Sequence, residues 1–596
     1  MSTRDPSASP ARIPAGEDVP VLIVGAGSAG LTLAIDLARR GVSFRIIERG
    51  KQPFAGSRGK GLQPRTIEIF EQLGMIEAFL NASAPYPPIV NYGVGENGPQ
   101  VIAAKTDARP GEPYPLSLMI PQWRTEEILR ARLADLGGQV EFGVEFAGLA
   151  ETENGVEARV MVDGQAQTIT CAWLIGTDGA RSTVRKTLGI GYPGETGTFR
   201  MLIADLPVAN LSADGWHRWP KAPGGQFALC PLAKTNSFQL SAELTTDDTP
   251  DQTREAIQAL IAARTGDPSL IAGEPTWTSI YRVNFRLADA YRRGHAFIAG
   301  DAAHAHPPTG GQGLNTSVQD SFNLGWKLAA VLRGADAALL DTYESERRDI
   351  GAGVLAMSKG LLTQMTDKAD MRRGRDTLQL DLNYRASPIA AEARSHPGKV
   401  QAGDRVPDAT IIDPEGQTVR LFDLLRHPDF TLLAIGGAAI SGALARPGMR
   451  MVEIDRGPGT WQDRAGELRA NCGLEGDCLM LIRPDGYLAG SSPHGWAHER
   501  IDDALGRNGR GRGACGTGYR TRAARRAPAA GGRAPIAFDL PFPPSGRRLA
   551  SASDRGSDRV ARNRRACRIN ALCPQRGARR CRILAARHRR LGPLRA

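Results

Sequence analysis

The sequence predicts an α/β protein in which a doubly wound parallel sheet is interleaved with a mixed β-sheet, followed by a separate, smaller α/β domain. Three observations carry that expectation. An apolar strand runs into a glycine turn and a helix at Val21 to Ala38. A second apolar run, Ala296 to Ala299, leads through an acid, a proline pair and three glycines into another helix. Beyond Ala402, short strands and helices alternate with an apolar pattern of their own.

Val21 to Val24 are all apolar and read as a buried strand. Gly25-Ala26-Gly27-Ser28-Ala29-Gly30 follows at once. Leu31, Ala34, Ile35 and Ala38 then mark one helical face, Gly41 is a stop, and Phe44 to Ile47 is a second strand ending at Glu48. Strand, G-x-G-x-x-G, helix, strand, acid is the order of a Rossmann dinucleotide unit. In such a unit Gly25 makes the tight turn and Gly27 admits a pyrophosphate. Gly30 lets helix and strand pack closely, and Glu48 holds ribose hydroxyls. Glu48 alone does not choose between NAD and FAD.

Residues 56 to 70 form a basic, glycine-rich loop with Arg58 and Lys60, then an amphipathic helix through Ile67, Phe70 and Leu73. Gln122 opens another helix after Pro121. The strand Trp173 to Ile175 runs into G-T-D-G-A-R-S-T-V-R, residues 176 to 185, where Asp178 is either a ligand-side acid or a helix N-cap. Met201 to Ile203, Gly225 to Cys230, Phe238 to Leu244 and Tyr281 to Leu287 read as strands of a mixed or antiparallel sheet. Trp216, His217, Trp219, Phe227, Phe238, Tyr281 and Phe285 are aromatic or imidazole candidates for a pocket wall, most of them serving as core. His217 reads as a structural histidine. His304 and His306 lack a third ligand, so no metal site is expected.

Asp301 falls at the carboxyl end of its strand, where open α/β sheets bind ligands. Pro307 and Pro308 forbid a helix there. Gly310, Gly311 and Gly313 allow backbone to approach a flat ligand. A helix starts near Asn315, with Val318, Phe322, Trp326 and Ala329 on one face, and Leu339 to Met365 reads as a further helix.

The run G-D-A-A-H-x-x-P-P-x-G-G-x-G-L-N resembles the second flavin motif of single-component FAD-dependent aromatic hydroxylases, the phenol hydroxylase and p-hydroxybenzoate hydroxylase-like family. D-G-x-x-S-x-V-R at Asp178 resembles that family's third motif, and the resemblance spans residues 19 to 505. It implies FAD as cofactor, with Asp301 on the ribityl chain and Pro308 near the isoalloxazine. The backbone at Gly313, Leu314 and Asn315 would lie against the flavin, the last two on its pyrimidine edge. Helix N-terminal N–H groups suit the anionic N1–O2 edge of reduced flavin. The resemblance further implies Arg58 near the pyrophosphate, Gln122 on the nucleotide, Asp178 in a contact chain to the FAD pyrophosphate, and Asp178 and Arg181 in docking NAD(P)H as co-substrate. Lys60 departs from the family, because some phenol-hydroxylating relatives carry an acid there. The implied reaction is hydroxylation of a phenolic or related small aromatic substrate by O2 through a C4a-hydroperoxyflavin. The deprotonating base is not identified by sequence. Another FAD-dependent oxidoreductase (an oxidase or halogenase) or a non-catalytic flavin-binding protein are the alternatives, and no W-x-W-x-I-P signature of halogenases is present.

The domain limits expected are a flexible N-terminus at 1–18, an FAD-binding domain at 19–80, 111–195 and 281–365, and a substrate domain at 81–110 and 196–280. A helical linker follows at 366–400, then a domain at 401–505 that resembles the thioredoxin-like C-terminal domain of the phenol hydroxylase branch. It lacks C-x-x-C, since Cys472 and Cys478 are too far apart in sequence, so packing or homodimerisation is its expected role.

Charge separates the last segment. The 596 residues carry a net charge of +12, but residues 506–596 hold 24 Arg, no Lys and 3 Asp, and the rest of the chain is net acidic. The body therefore gives no sign of binding nucleic acid or anionic membrane. We read the tail as disordered and as the product of a reading-frame shift near Gly506, rather than as a native arginine-rich nucleic-acid arm. Four of the eight cysteines lie in the tail, and no apolar run reaches the roughly 20 residues of a membrane span, so a soluble cytoplasmic protein is expected.

Overall fold

The computed structural model describes residues 18–93, 98–102, 108–246, 249–368, 374–438 and 448–492. The expected flexible N-terminus before residue 18, the end of the third domain and the arginine-rich tail lie outside the described residues.

Val19–Val24 is the central strand of the first sheet. It pairs in parallel with Phe44–Glu48 on one side and Gln165–Gly176 on the other. Val140–Phe142 and Ala296–Ile298 extend the parallel arrangement outward. A strand apolar on both faces belongs in this position, covered by helices on either side. The helix Ser28–Arg39 packs against Gly313–Leu332 and Gln122–Asp135. These helices bring the two glycine-rich segments, distant in sequence, to the carboxyl ends of two strands that flank Gln165–Gly176 on either side.

The second sheet has nine strands, mostly antiparallel, and includes Gly194–Ala209, Phe227–Pro231, Ser237–Leu244 and Trp277–Leu287. Its register divides the residues between two faces. Leu202, Ala204, Leu206, Phe227, Leu229, Phe238, Leu240 and Ala242 pack with Ile257 and Ile261 of the helix Arg254–Thr265. Phe227 and Phe238 are therefore core, and not pocket wall. The alternate residues, among them Ile203, Asp205, Gln239, Ser241, Trp277, Ser279 and Tyr281, form the opposite face.

The whole of Trp277–Leu287 belongs to this sheet, so the expected domain limit at 281 falls inside a strand. The expected helical linker at 366–400 is also corrected. The helix Asp341–Lys368 runs into its start, but residues 374–400 hold only a 3-10 turn at Arg375–Leu378 and the short strand Ala391–Glu392. Pro388, Pro397 and Gly398 leave no helical run there.

The third module is a five-stranded mixed sheet in the order Ala391–Glu392, Leu488–Ser492, Cys478–Ile482, Phe430–Ile435, Met449–Ile454. Its apolar face, with Leu432, Leu479 and Leu481, meets Trp326 and Leu339. Beside that contact lies a buried ionic hub. Glu346 accepts from Lys327 (2.7 Å), Asn323 (2.6 Å), Ser387 (2.6 Å) and both terminal nitrogens of Arg483 (2.7 and 2.9 Å). Arg483 also pairs with Asp485, which accepts from the Trp326 indole at 3.1 Å. Among the described residues no helix is long and apolar enough to cross a membrane.

Candidate cofactor and active site

The three glycines of the first turn occupy different surroundings. Gly25 has φ +106°, and a methyl group placed there would lie 2.6 Å from the Thr177 carbonyl oxygen. A methyl on Gly30 would lie 2.0 Å from the Gly25 carbonyl oxygen. Both positions exclude a side chain by backbone contact. Gly27 borders open space, its nearest neighbour for such a methyl being Glu126 Oε1 at 3.8 Å. The helix Ser28–Arg39 begins there without a side-chain cap, which leaves first-turn donors to water or a ligand. Glu48 accepts from the Ala26 amide (3.1 Å) and the Gly50 amide (2.9 Å), so it braces the turn while each oxygen keeps a lone pair.

The loop carrying Arg58 is moored to the second sheet. Asp205 accepts from the Ser57 amide at 2.8 Å and from its hydroxyl. Gln239 donates to the Ser57 carbonyl, and Lys60 donates to Gln239 while standing 4.6 Å from the Trp216 ring centre. The Trp277 ring lies where a side chain on Gly56 would have to go. Arg58 itself is exposed, and its charge reaches both Asp301 and Tyr281.

Gln122 is spent on protein contacts: it accepts from the Gly59 amide (2.9 Å) and donates to Glu126 (2.9 Å). Asp178 caps the short helix Thr183–Thr187 through the Thr183 and Val184 amides, at 2.7 and 3.1 Å, while its other oxygen is buried without a partner. Arg181 is exposed. The residue that joins this motif to the next is Arg185, which donates to the Ala302 carbonyl (2.9 Å) and lies 3.8 Å from the Tyr192 ring centre. Tyr192 in turn donates to the Asp301 carbonyl at 2.8 Å.

Asp301 is open to water, yet burial raises its carboxyl, with His304 and Arg58 opposing and Asp320 adding. A group open to water but enclosed by protein sits on the floor of a cleft. Among the described residues that carboxylate has no hydrogen-bond partner. Behind it His304 bonds Asp320 at 2.8 Å, and Asp320 also accepts from Arg347. His306 lies against Gly313, and burial lowers it to about 4, so it is neutral at pH 7.

Pro308 is exposed and its carbonyl closes a turn to the Gly311 amide at 3.0 Å. The helix Gly313–Leu332 then starts without a side-chain cap. Leu314 lies beside Gly59. Asn315 accepts from the Gln63 amide (2.8 Å) and donates to the Gly61 and Gly311 carbonyls, which knits three segments at the helix start. His217 is satisfied by Tyr92 (2.9 Å) and the Ser212 carbonyl (2.8 Å), which leaves it structural. A hollow of about 530 Å³ lined by Arg292, Gly294 and Asp341 sits at the amino end of strand Ala296–Ile298, away from all of these groups.

These surroundings fit FAD. Gly27 keeps a bare approach to uncapped helix donors, Asp301 offers an unpartnered acceptor in a cleft, and a second uncapped helix start faces the Pro308 turn. Glu126, Asp205, Gln239 and Arg185 tie these segments together, and the sequence alone singles out none of them. Of these only Arg185 lies within a recognised motif.

Comparison with known proteins agrees with this geometry. Residues 18–358 match the FAD binding domain family and residues 399–508 the aromatic-ring hydroxylase C-terminal family. A flavin-dependent monooxygenase of Mycobacteroides abscessus is 40% identical over 482 residues, covering 78% of this chain and 96% of that protein. Pentachlorophenol 4-monooxygenase of Sphingobium chlorophenolicum is 34% identical, covering 70% and 80%. The crystal structure of the flavin-dependent monooxygenase PieE, in complex with FAD and substrate, superposes with a TM-score of 0.73 at 26% identity, covering 83% of this chain and 99% of that one.

Proposed function

The chain belongs to the family of FAD-dependent aromatic-ring monooxygenases, and from that premise we propose that it hydroxylates a phenolic or related aromatic compound with NAD(P)H and O2. The observation that carries the reading is Asp301, an unpartnered carboxylate on the floor of a cleft between a bare glycine turn and a helix start. FAD, when bound, supplies the redox chemistry that takes electrons from NAD(P)H and passes one atom of O2 to the ring.

The chain's own residues bind and orient. Gly25, Gly27 and Gly30 with the start of Ser28–Arg39 receive the pyrophosphate, with Arg58 and Gln122 beside it and Glu48 on the ribose. Asp301 accepts from the ribityl chain, and the amides at Gly313, Leu314 and Asn315 take the pyrimidine edge. Asp178 and Arg181 serve NAD(P)H docking, and Pro308 stiffens the wall beside the ring. Support for a phenolic substrate comes from the relative whose name specifies pentachlorophenol. With Lys60 in place of an acid, positive charge near the sheet face favours a ring that is already anionic. The third module we read as thioredoxin-like in topology and structural in role, since Cys472 and Cys478 are buried and burial raises both thiols.

The test is a panel of phenols screened for stimulated NAD(P)H oxidation, with product formed under labelled O2. Stimulation by at least one phenol and one labelled oxygen atom per product are expected. A new hydroxyl carrying the oxygen of water would overturn the reading.

A further inference from the structure

Glu126 stands in the helix Gln122–Asp135, 2% exposed, and its Oε1 accepts from Gln122 Nε2 at 2.9 Å and from Ser28 Oγ at 3.3 Å. Both donors are neutral. Among the described residues no Lys, Arg or His nitrogen comes within 4.0 Å of this carboxylate. The charged groups around it are few. On its own helix, Arg130 acts from one turn away. The helix Ser28–Arg39 has no acid in its first turn and contributes the Ser28 hydroxyl. The strand Phe44–Glu48 contributes Glu48, tied to the Ala26 and Gly50 amides. The loop with Arg58 contributes the Gly59 amide through Gln122.

The same oxygen lies 3.8 Å from where a methyl on Gly27 would stand, so the carboxylate borders the space that the glycine turn keeps clear. Burial already raises its pKa, against the opposing pull of Gln122, Arg130 and Ser28. An anion entering above Gly27 would meet a buried carboxylate with no cation in salt-bridge contact, Arg130 acting only from one turn away. Like charges in such surroundings disfavour ionisation further. Once protonated, the group no longer repels the anion and has an O–H to donate.

We propose that Glu126 couples cofactor binding to proton uptake: the pyrophosphate of FAD binds together with one proton from solvent, which is held on the Glu126 carboxylate. The proposal rests on the reading of the Gly25–Gly30 turn as an FAD site. The sign follows from linkage. Bound FAD raises the carboxyl pKa, so affinity is constant below the free-state pKa, falls about tenfold per pH unit between the free and bound values, and is constant above them.

The full chain, stripped of FAD, is titrated with FAD by calorimetry in phosphate and in Tris at matched pH, because the two buffers release different heats on ionising. Dissociation constants are measured by flavin fluorescence from pH 6 to 9. The expected result is uptake of about one proton within a defined pH window, with affinity falling about tenfold per unit across it. Glu126→Gln, which keeps an amide oxygen for the Gln122 and Ser28 bonds, should bind FAD without proton uptake or pH slope, and more tightly than wild type at pH 9. Arg130→Met, with Glu126 intact, should move the window to higher pH. Binding of FAD by the wild-type chain without proton uptake would overturn the proposal alone, and so would uptake that persists in Glu126→Gln. Failure of the wild-type chain to bind FAD at all would overturn the underlying assignment as well.

Discussion

Replacing Gly27 and Gly30 by alanine, one at a time, should produce opposite phenotypes from the same methyl group. On Gly30 the methyl would lie 2.0 Å from the Gly25 carbonyl oxygen and 2.7 Å from Thr177 Oγ1. Ordinary contact needs well over 3 Å, and the first neighbour is backbone, so strand and helix must separate. Overpacking of that kind costs about 3 kcal/mol, which in a chain of this size lowers the melting temperature by about 3 °C even without cofactor. On Gly27 the nearest atom is 3.8 Å away and the backbone, at φ −75° and ψ −176°, suits alanine. Stability of the FAD-free chain should therefore stay within about 0.5 kcal/mol. The methyl would instead stand in the approach to the uncapped helix donors. Losing one charge-assisted hydrogen bond of about 1.5–3 kcal/mol weakens FAD binding about 10- to 150-fold. Thermal unfolding of stripped protein and fluorescence titration with FAD measure the two effects separately. A Gly27→Ala protein that bound FAD like wild type would refute the idea that the cofactor passes over this residue. A Gly30→Ala protein of unchanged stability would refute the packing argument.

Asp301→Ala should weaken FAD binding by about 1.5–3 kcal/mol and yield pale protein on purification, read by flavin absorbance and titration. Burial by itself would raise the Glu346 carboxyl, but Arg483 and Lys327 hold it well below the usual carboxylate range. The unfolded chain therefore takes up this proton first, and the stability the hub contributes at neutral pH should fade as pH drops below 4.5, seen as a falling melting temperature. Glu346→Ala leaves Lys327 and Arg483 buried without their partner and should cost about 3–5 kcal/mol by denaturant unfolding at pH 7. A chain truncated after Leu505 should keep its melting temperature and, on the proposed function, its substrate-stimulated NAD(P)H oxidation, since the family match ends only three residues later, at 508.

What could be read from sequence was what is local. The Gly25 turn and the Asp301 segment each compress strand, turn and helix start into one short run, Val19 to Leu31 and Ala296 to Asn315, so the pattern along the chain is the pattern in space. The groups that moor and tune the site are not local. Ser57 and Asp205 are 148 positions apart, Ser57 and Gln239 are 182 apart, and Ser28 and Glu126 are 98 apart. A weak signal did exist for Gln239, a polar residue flanked by Phe238 and Leu240 on an alternating strand, and for Asp205 between Ala204 and Leu206. Alternation says that such residues face away from the core but not what they face. Glu126 looks like any helical surface acid until Ser28–Arg39 is laid across it. The helical linker expected at 366–400 fails over 374–400, where Pro388 and Pro397 interrupt the chain and only a 3-10 turn and a short strand form. For Gln122 and Asp178 the bonds that the structure gives are to Gly59, Glu126 and the Thr183–Thr187 helix.

The alternation in the nine-stranded sheet also separates two kinds of heritable change. Along Met201 to Leu206 and Phe238 to Glu243, every second residue meets the helix Arg254–Thr265 and answers for cohesion. The residues between them meet the Arg58 loop or the space beside it, where a different side chain alters what is accommodated and leaves the helix contact alone. Change is therefore tolerated at Ile203, Ser241, Ser279 and Tyr281, whose face is turned from that helix, while Leu202, Ala204, Leu240 and Ala242 stay put. A combinatorial library confined to the first set would keep the helix contact in every member, whereas one spread over both sets would break it in many.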